Sequence, residues 1–339
     1  MRFFEQQENA RAQTTRLLVL FALTVLALVV AVNLALALTW RLVWYGGSGY
    51  PQHFFAVNTA ITLLFVLGGW WLETSALHGG DGGGGEALAR RVGAREAWPA
   101  SREAERKFCN IVSEVAIASS MRAPLPMVLT RVDDINAFAC GWNERDAVVA
   151  VTQGALDHLT RDELQGLVAH EFSHIREGDT RLNMRLAGMV FGLEMIFNLG
   201  KTMCEADDTR RRSFLALPGF AIQAVGLLGW LAGRVLKAAV SRQREFLADA
   251  RAVQFTRSKD GLGGVLRKVA GQQQVGHSPS MPLHPSVQHM LLVTTAAPSS
   301  WFATHPPLAE RIRRIYGRPM AALRPQQGQD APTRPDAIF

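Results

Sequence analysis

The stretch Leu164–Asp179 carries His170, Glu171 and His174 in the order HEFSH. On an α-helix, residues four apart project from one face about 6 Å apart along the axis, so the two imidazoles can close on one tetrahedral zinc ion. Glu171 stands one step round the helix, where its carboxylate can take a proton from a water that the ion has acidified. The pattern points to metal-assisted hydrolysis with Glu171 as the base. Catalytic zinc wants a third protein ligand and one open position. The extended spacing HExxHxxGxxH is absent, since Gly178 falls one place late and position 180 is Thr180. The third ligand must come from elsewhere. Glu194 sits in an apolar helix and Glu205 in a charged connection, whereas Glu245 lies in SRQREFLADARAV with Asp249 one turn later. There Glu245 can ligate zinc while Asp249 hydrogen-bonds a ligand histidine and fixes its tautomer. The same segment reads equally well as a solvent-facing Arg/Glu helix.

The elements that must position these residues have their own signals. Thr160 followed by Glu163 is a capping box that starts a helix, Leu164, Val168, Phe172 and Ile175 form its apolar stripe, and Gly178 stops it. Upstream, Met127–Thr130 reads as a strand, and INAFACG and AVVAVT read as two more joined by the polar turn WNERD. Phe108, Ile111, Val112 and Val115 recur at helical spacing within Ser101–Ser120. The expected class is α+β: a mostly α domain that carries the HEFSH helix and a small antiparallel sheet, on a helical membrane anchor.

The anchor follows from composition. Of 339 residues 48% are hydrophobic and only 19% charged, a balance unusual for soluble chains. Leu17–Thr39 holds no charge and is long enough to cross a bilayer, and too long for the apolar core of a signal peptide. His53–Leu72 is a second span, with Trp70 and Trp71 where an interfacial aromatic belt belongs. Arg2, Arg11 and Arg16 before the first span and Arg90, Arg91 and Arg95 after the second place both flanks in the cytoplasm. Residues 1–16 are then a cytosolic N-terminus, 79–100 a Gly-rich linker, 101–180 the first half of the catalytic domain, 234–320 its second half and 324–339 a disordered tail. Between the halves, 186–199 is an apolar helix short for a span, and 213–233 a better one. The connection between them carries four basic and three acidic residues, which suits an external loop poorly. For Glu245 to meet His170 and His174 both must cross or both must stay.

Several features point elsewhere and are discounted. Gly80, Gly82 and Gly85 satisfy GxGxxG but follow a membrane helix rather than a strand, so no dinucleotide site is expected. The net charge of +7 is scattered arginine rather than a basic stripe, so no nucleic-acid partner is expected. Cys109, Cys140 and Cys204 show no paired spacing and suit a reducing compartment. His277, His284 and His289 lie in a loop-like stretch from Gly271 to His289.

INAFACG, AVVAVTQGAL, RDELQGLVAHEFSHI, SRQREFLADA and THPPLAERIRRI, in this order, resemble the HtpX family of membrane-bound zinc metallopeptidases of gluzincin type, which is related to the CAAX prenyl proteases. The resemblance runs from about Cys109 to Tyr316. It implies zinc bound by His170, His174 and Glu245, with Glu171 as catalytic base. It implies that the strand Asn136, Ala137, Phe138, Ala139 and Cys140 receives substrate as an added strand. In the last motif His305 or Arg311 would stabilise the oxyanion, although a Pro-Pro turn opening a helix explains that motif equally well. The implied protein is a multi-pass protein of a bacterial inner membrane with its catalytic domain in the cytoplasm, cleaving membrane or misfolded proteins at the lipid surface. Two rivals are a membrane scaffold with non-catalytic zinc and a processing protease for prenylated proteins. A structural zinc site is normally closed by four ligands and rich in cysteine, and no cysteine lies near HEFSH in sequence.

Overall fold

The computed structural model describes residues 2–43, 49–78, 84–100, 102–205, 216–274, 291–292 and 305–324, with backbone alone over 2–17 and 234–243. The histidines at 277, 284 and 289, most of the charged connection after Lys201 and nearly all of the 324–339 tail lie outside these residues. The chain divides into two compact units, residues 1–78 with 184–239, and residues 79–183 with 240–339.

The first unit is helical. Helices α1 (Arg2–Val43) and α2 (Phe54–His78) pack together, and both extend beyond the spans read from sequence. Leu34, Leu38, Leu64 and Trp71 are exposed on their outer faces, as residues facing hydrocarbon should be. Between the helices Asn33 donates to Thr59 Oγ1 at 3.0 Å, pairing a polar group that lipid could not satisfy. Among the described residues three helices are long and apolar enough to cross a membrane: Leu18–Val43, Phe54–His78 and Ala216–Gly233. Helix α7 (Asp179–Cys204) contains the 186–199 block and is not among them. Its apolar residues turn inward instead, with Leu186, Val190, Leu193 and Ile196 buried. Glycines make this possible: a Cβ on Gly192 would strike the Val66 carbonyl of α2.

The second unit is built around helix α6 (Arg161–Glu177). Its Thr160 hydroxyl accepts from the Glu163 amide while Glu163 reaches back to the Thr160 amide, and Gly178 closes the far end at φ 73°. One face packs on α4 (Glu103–Ser119) through Phe108, Ile111, Val115, Leu167, Val168 and Phe172. The opposite face meets α9 (Lys259–Gln274) so closely that a Cβ on Gly166 would collide with the backbone at Gly261 and Leu262. Lys268 of α9 locks this contact, reaching Glu163 Oε2 at 2.6 Å and the His158 carbonyl at 2.8 Å.

The sheet is mixed rather than antiparallel. Strands β1 (Arg95–Glu96), β2 (Leu125–Leu129), β3 (Ala137–Cys140) and β4 (Val148–Thr152) stand in the order β1-β2-β4-β3. The hairpin β3–β4 is antiparallel, as its polar turn demands, but β2 lies parallel to β4. All five residues of β4 are apolar or Thr and buried, which suits its place as a central strand flanked on both sides. The expected linker over 79–100 is also corrected, since from Gly84 it is folded. Helix α3 (Gly85–Arg91) buries Leu88 and Ala89, and β1 follows it. A Cβ on Gly85 would strike the carbonyls of Cys140 and Asp146, so this glycine serves close approach rather than flexibility. Helix α5 (Gln153–His158), α8 (Ala216–Thr256) and α10 (Leu308–Tyr316) complete the described elements. Helix α8 joins residues 216–233 of the 213–233 block to the Glu245 segment without a break, and 213–215 lie outside the described residues.

Gly166→Val should destabilise the purified chain by about 1–3 kcal/mol, the usual cost of forcing atoms into a filled contact. Thermal unfolding in detergent reads this as a lower midpoint, and an unchanged midpoint would contradict the close α6–α9 contact.

Candidate metal centre

Helix α6 presents His170, Glu171 and His174 from its C-terminal half, α8 brings Glu245 and Asp249, and His305 and Arg311 come from α10 and its approach. All belong to the second unit. The ligand atoms of His170, His174 and Glu245 lie within 4.8 Å of one another. The two Nε2 atoms face each other at 3.2 Å, and Glu245 Oε1 and Oε2 stand 3.5 Å from His174 Nε2 and 3.8 Å from His170 Nε2. Two nitrogens on a tetrahedral zinc, each about 2.0–2.1 Å from it, are about 3.3–3.4 Å apart. The donor set and its spacing therefore fit one divalent ion.

The remaining ring nitrogens point away from the clasp toward carboxylates. His170 Nδ1 lies 3.1 Å from Asp249 Oδ1, the partnership expected from sequence. His174 Nδ1 lies 2.9 Å from Asp179 Oδ2, a residue the sequence reading passed over. The available signal was an aspartate directly after the Gly178 stop, five positions beyond His174. Arg244, next to Glu245, pairs with the other oxygen of Asp179.

Arg311 is fully buried and its donors are occupied. Nε and Nη2 reach Asp249 at 2.9 and 2.7 Å, while Nη1 lies 3.1 Å from the Leu292 carbonyl and 3.0 Å from Glu245 Oε2. It acts as counter-charge to two carboxylates, a geometry that leaves little for an oxyanion. His305 is differently placed: Nδ1 is 3.1 Å from Glu245 Oε2, and Nε2 is buried without a partner among the described residues.

Strand β3 forms the floor. Asn136 faces β4, where its carbonyl accepts from Thr152, so Ala137 and Ala139 turn their backbone groups outward and Cys140 is buried with its thiol toward the Gly85 carbonyl. The Ala139 amide donates to the Glu171 carboxylate, and the Ala137 carbonyl accepts from Leu292. Phe138 is buried.

Burial dominates the electrostatics. It pushes the Glu171 carboxyl up to about 7, with the charge of Glu245 adding to the effect and His174 opposing it. Burial would do the same to Glu245, but His305 and Arg311 outweigh it and hold that carboxyl well below the usual range. At His174 burial opposes the charged form, yet the Asp179 hydrogen bond and the charges of Glu245 and Glu171 hold the ring up to about 9.

Residues 102–318 match the model of peptidase family M48. The chain belongs to that family. It is 35% identical over 238 residues to a protease HtpX homolog of Dictyoglomus turgidum, covering 68% of this chain and 74% of that one. A protease HtpX homolog of Syntrophobacter fumaroxidans is 29% identical over 292 residues, covering 82% of this chain and 95% of that one. Among solved structures the crystal structure of S. mikatae Ste24p is matched over 88% of this chain and 66% of that one, at 15% identity and a TM-score of 0.39. As an M48 chain with three membrane-capable helices among the described residues, the protein is a membrane metallopeptidase by family.

An ion must displace the proton that His174 holds up to about pH 9, so zinc affinity should rise with pH, by at most about tenfold per unit for one proton released. Chelator competition between pH 6 and 8.5 measures this, and a flat profile would contradict the assignment of His174.

Proposed function

We propose that the protein is a zinc endopeptidase that cleaves membrane or misfolded proteins at the cytoplasmic surface of a bacterial inner membrane. The observation that carries this is a buried carboxylate, Glu171, standing beside the clasp of His170, His174 and Glu245 with its Oε2 lacking any partner among the described residues. Two imidazoles and one carboxylate are the donor set of an open, catalytic zinc site. An ion held there supplies an acidified water and polarises a peptide carbonyl.

The chain's own residues supply the rest. The Ala139 amide anchors the Glu171 carboxylate, and Oε2 is free to take a proton from the attacking water and return it to the leaving amine. The Ala139 carbonyl, turned away from β4, offers a main-chain acceptor to an extended substrate laid along this edge, which favours binding irrespective of its sequence. His305 Nε2, buried and unpartnered, is the donor best placed to meet the oxyanion. Arg311 holds the third ligand and its neighbour in place.

The membrane placement is supported by the way α7 and α8 run together. Gly226 of α8 sits against the backbone of Phe197, Gly200 of α7 against Gln223, and Gly233 against Val190, so the two helices form an antiparallel hairpin that reaches one depth. From Met184 to Cys204 an α-helix spans about 30 Å, the thickness of the hydrocarbon core. We therefore take both as crossing, with α7 as an interior fourth span, which returns Glu245 to the side of His170.

Glu171→Gln should retain one zinc and lose cleavage of an unfolded protein such as casein by a factor of about 10² or more. Chelation should abolish wild-type cleavage and added zinc restore it. A Gln variant as active as the wild type would remove Glu171 from the mechanism, and chelator-insensitive cleavage would remove the ion.

A further inference from the structure

We propose that Asp179, held by Arg244, is a positioning residue that sets the tautomer and aim of His174, and that this ion pair ties the second ligand to the helix carrying the third. The inference rests on His174 being a zinc ligand.

Gly178 ends α6 in the left-handed region, and the bend delivers Asp179 as the first residue of α7. An acid at that place has a bland role available, in favourable interaction with the helix dipole. Its contacts show a more specific one, because both carboxylate oxygens are engaged by side chains. Oδ2 accepts from His174 Nδ1 at 2.9 Å and Oδ1 pairs with the Arg244 guanidinium. Asp179 is buried, so these partners are not exchanged for water at leisure.

A carboxylate on Nδ1 keeps the proton there. Nε2 is then the nitrogen with a free lone pair, and it is Nε2 that points at His170 Nε2 and Glu245 Oε1. The arrangement repeats that of the other histidine, whose Nδ1 meets Asp249 and whose Asp249 is gripped by Arg311. The two relays arise from different parts of the chain. Asp249 follows Glu245 by one helical turn on the same helix, whereas Asp179 and Arg244 bracket the 180–243 segment that contains the α7–α8 hairpin. Since Arg244 adjoins Glu245, closing the pair fixes His174 and sets the α8 turn beside it.

Full-length protein in detergent gives the test: zinc affinity by competition with a metallochromic chelator, and thermal unfolding with and without one equivalent of zinc. Asp179→Ala should weaken zinc binding by about 10–100-fold, the usual effect of losing such a partner, and should shrink the zinc-induced rise in midpoint. Asp179→Asn, which keeps an acceptor for Nδ1, should recover most of the loss. Arg244→Met should weaken binding several-fold. Wild-type affinity in Asp179→Ala with only a lower ion-free midpoint would make the residue structural and overturn the proposal. If Asp179→Ala does not fold, Arg244→Met decides, and an unchanged affinity there overturns it. Folded wild-type protein that binds no zinc would instead overturn the metallopeptidase reading, and this inference with it.

Discussion

The structure depends on how negative charge is held in a dry place. Glu171, Glu245 and Asp249 are buried within one pocket, and Arg311 is the buried cation that touches two of them. Isolated buried carboxylates cost several kcal/mol each, so such a group persists only if it is paired, neutralised or bound to metal. Arg311 stabilises Asp249 and one side of Glu245, and a proton on Glu171 relieves part of the rest. The His174 ring, held charged up to about 9, offsets what remains, and a divalent cation at the clasp would take the place of its proton. The same carboxylates that would strain an ordinary core would thus favour a cation in that place.

Rigidity around the pocket follows from close backbone contacts rather than from large side chains alone. Gly166 lets α9 lie against α6, Lys268 pins that contact through the capping glutamate Glu163, and Gly178 turns the chain so that Asp179 meets His174. The helix that carries His170 and His174 is fixed at its start, middle and end. Strand β3 is fixed on one side by β4 and reports on the site through the Ala139 amide. A site built on such elements keeps its geometry when substrate arrives.

Much of this was legible in the chain. The spacing of His170 and His174, the capping box at Thr160 and the stop at Gly178 are local patterns with local causes, and the helix appears with those ends. Glu245 and Asp249 needed more, since nothing in SRQREFLADARAV distinguishes an inward face from a solvated one, and only the fold brings it to the histidines. Arg311 was visible as a cation near a turn, but its partners are contributed by another helix, so its role was not. Asp179 and Arg244 are 65 positions apart, and no periodicity links them. The glycines after α2 read as a linker because composition records flexibility and close approach in the same letter. The parallel pairing of β2 with β4 joins strands separated along the chain by β3, a non-local pairing that strand propensity does not carry.

X-ray absorption at the zinc edge, on full-length protein loaded with one equivalent of zinc, addresses the central claim most directly. The account predicts a four-coordinate ion with two imidazole nitrogens and oxygen ligands, and no sulfur. A sulfur shell, or a single imidazole, would contradict the clasp of His170, His174 and Glu245.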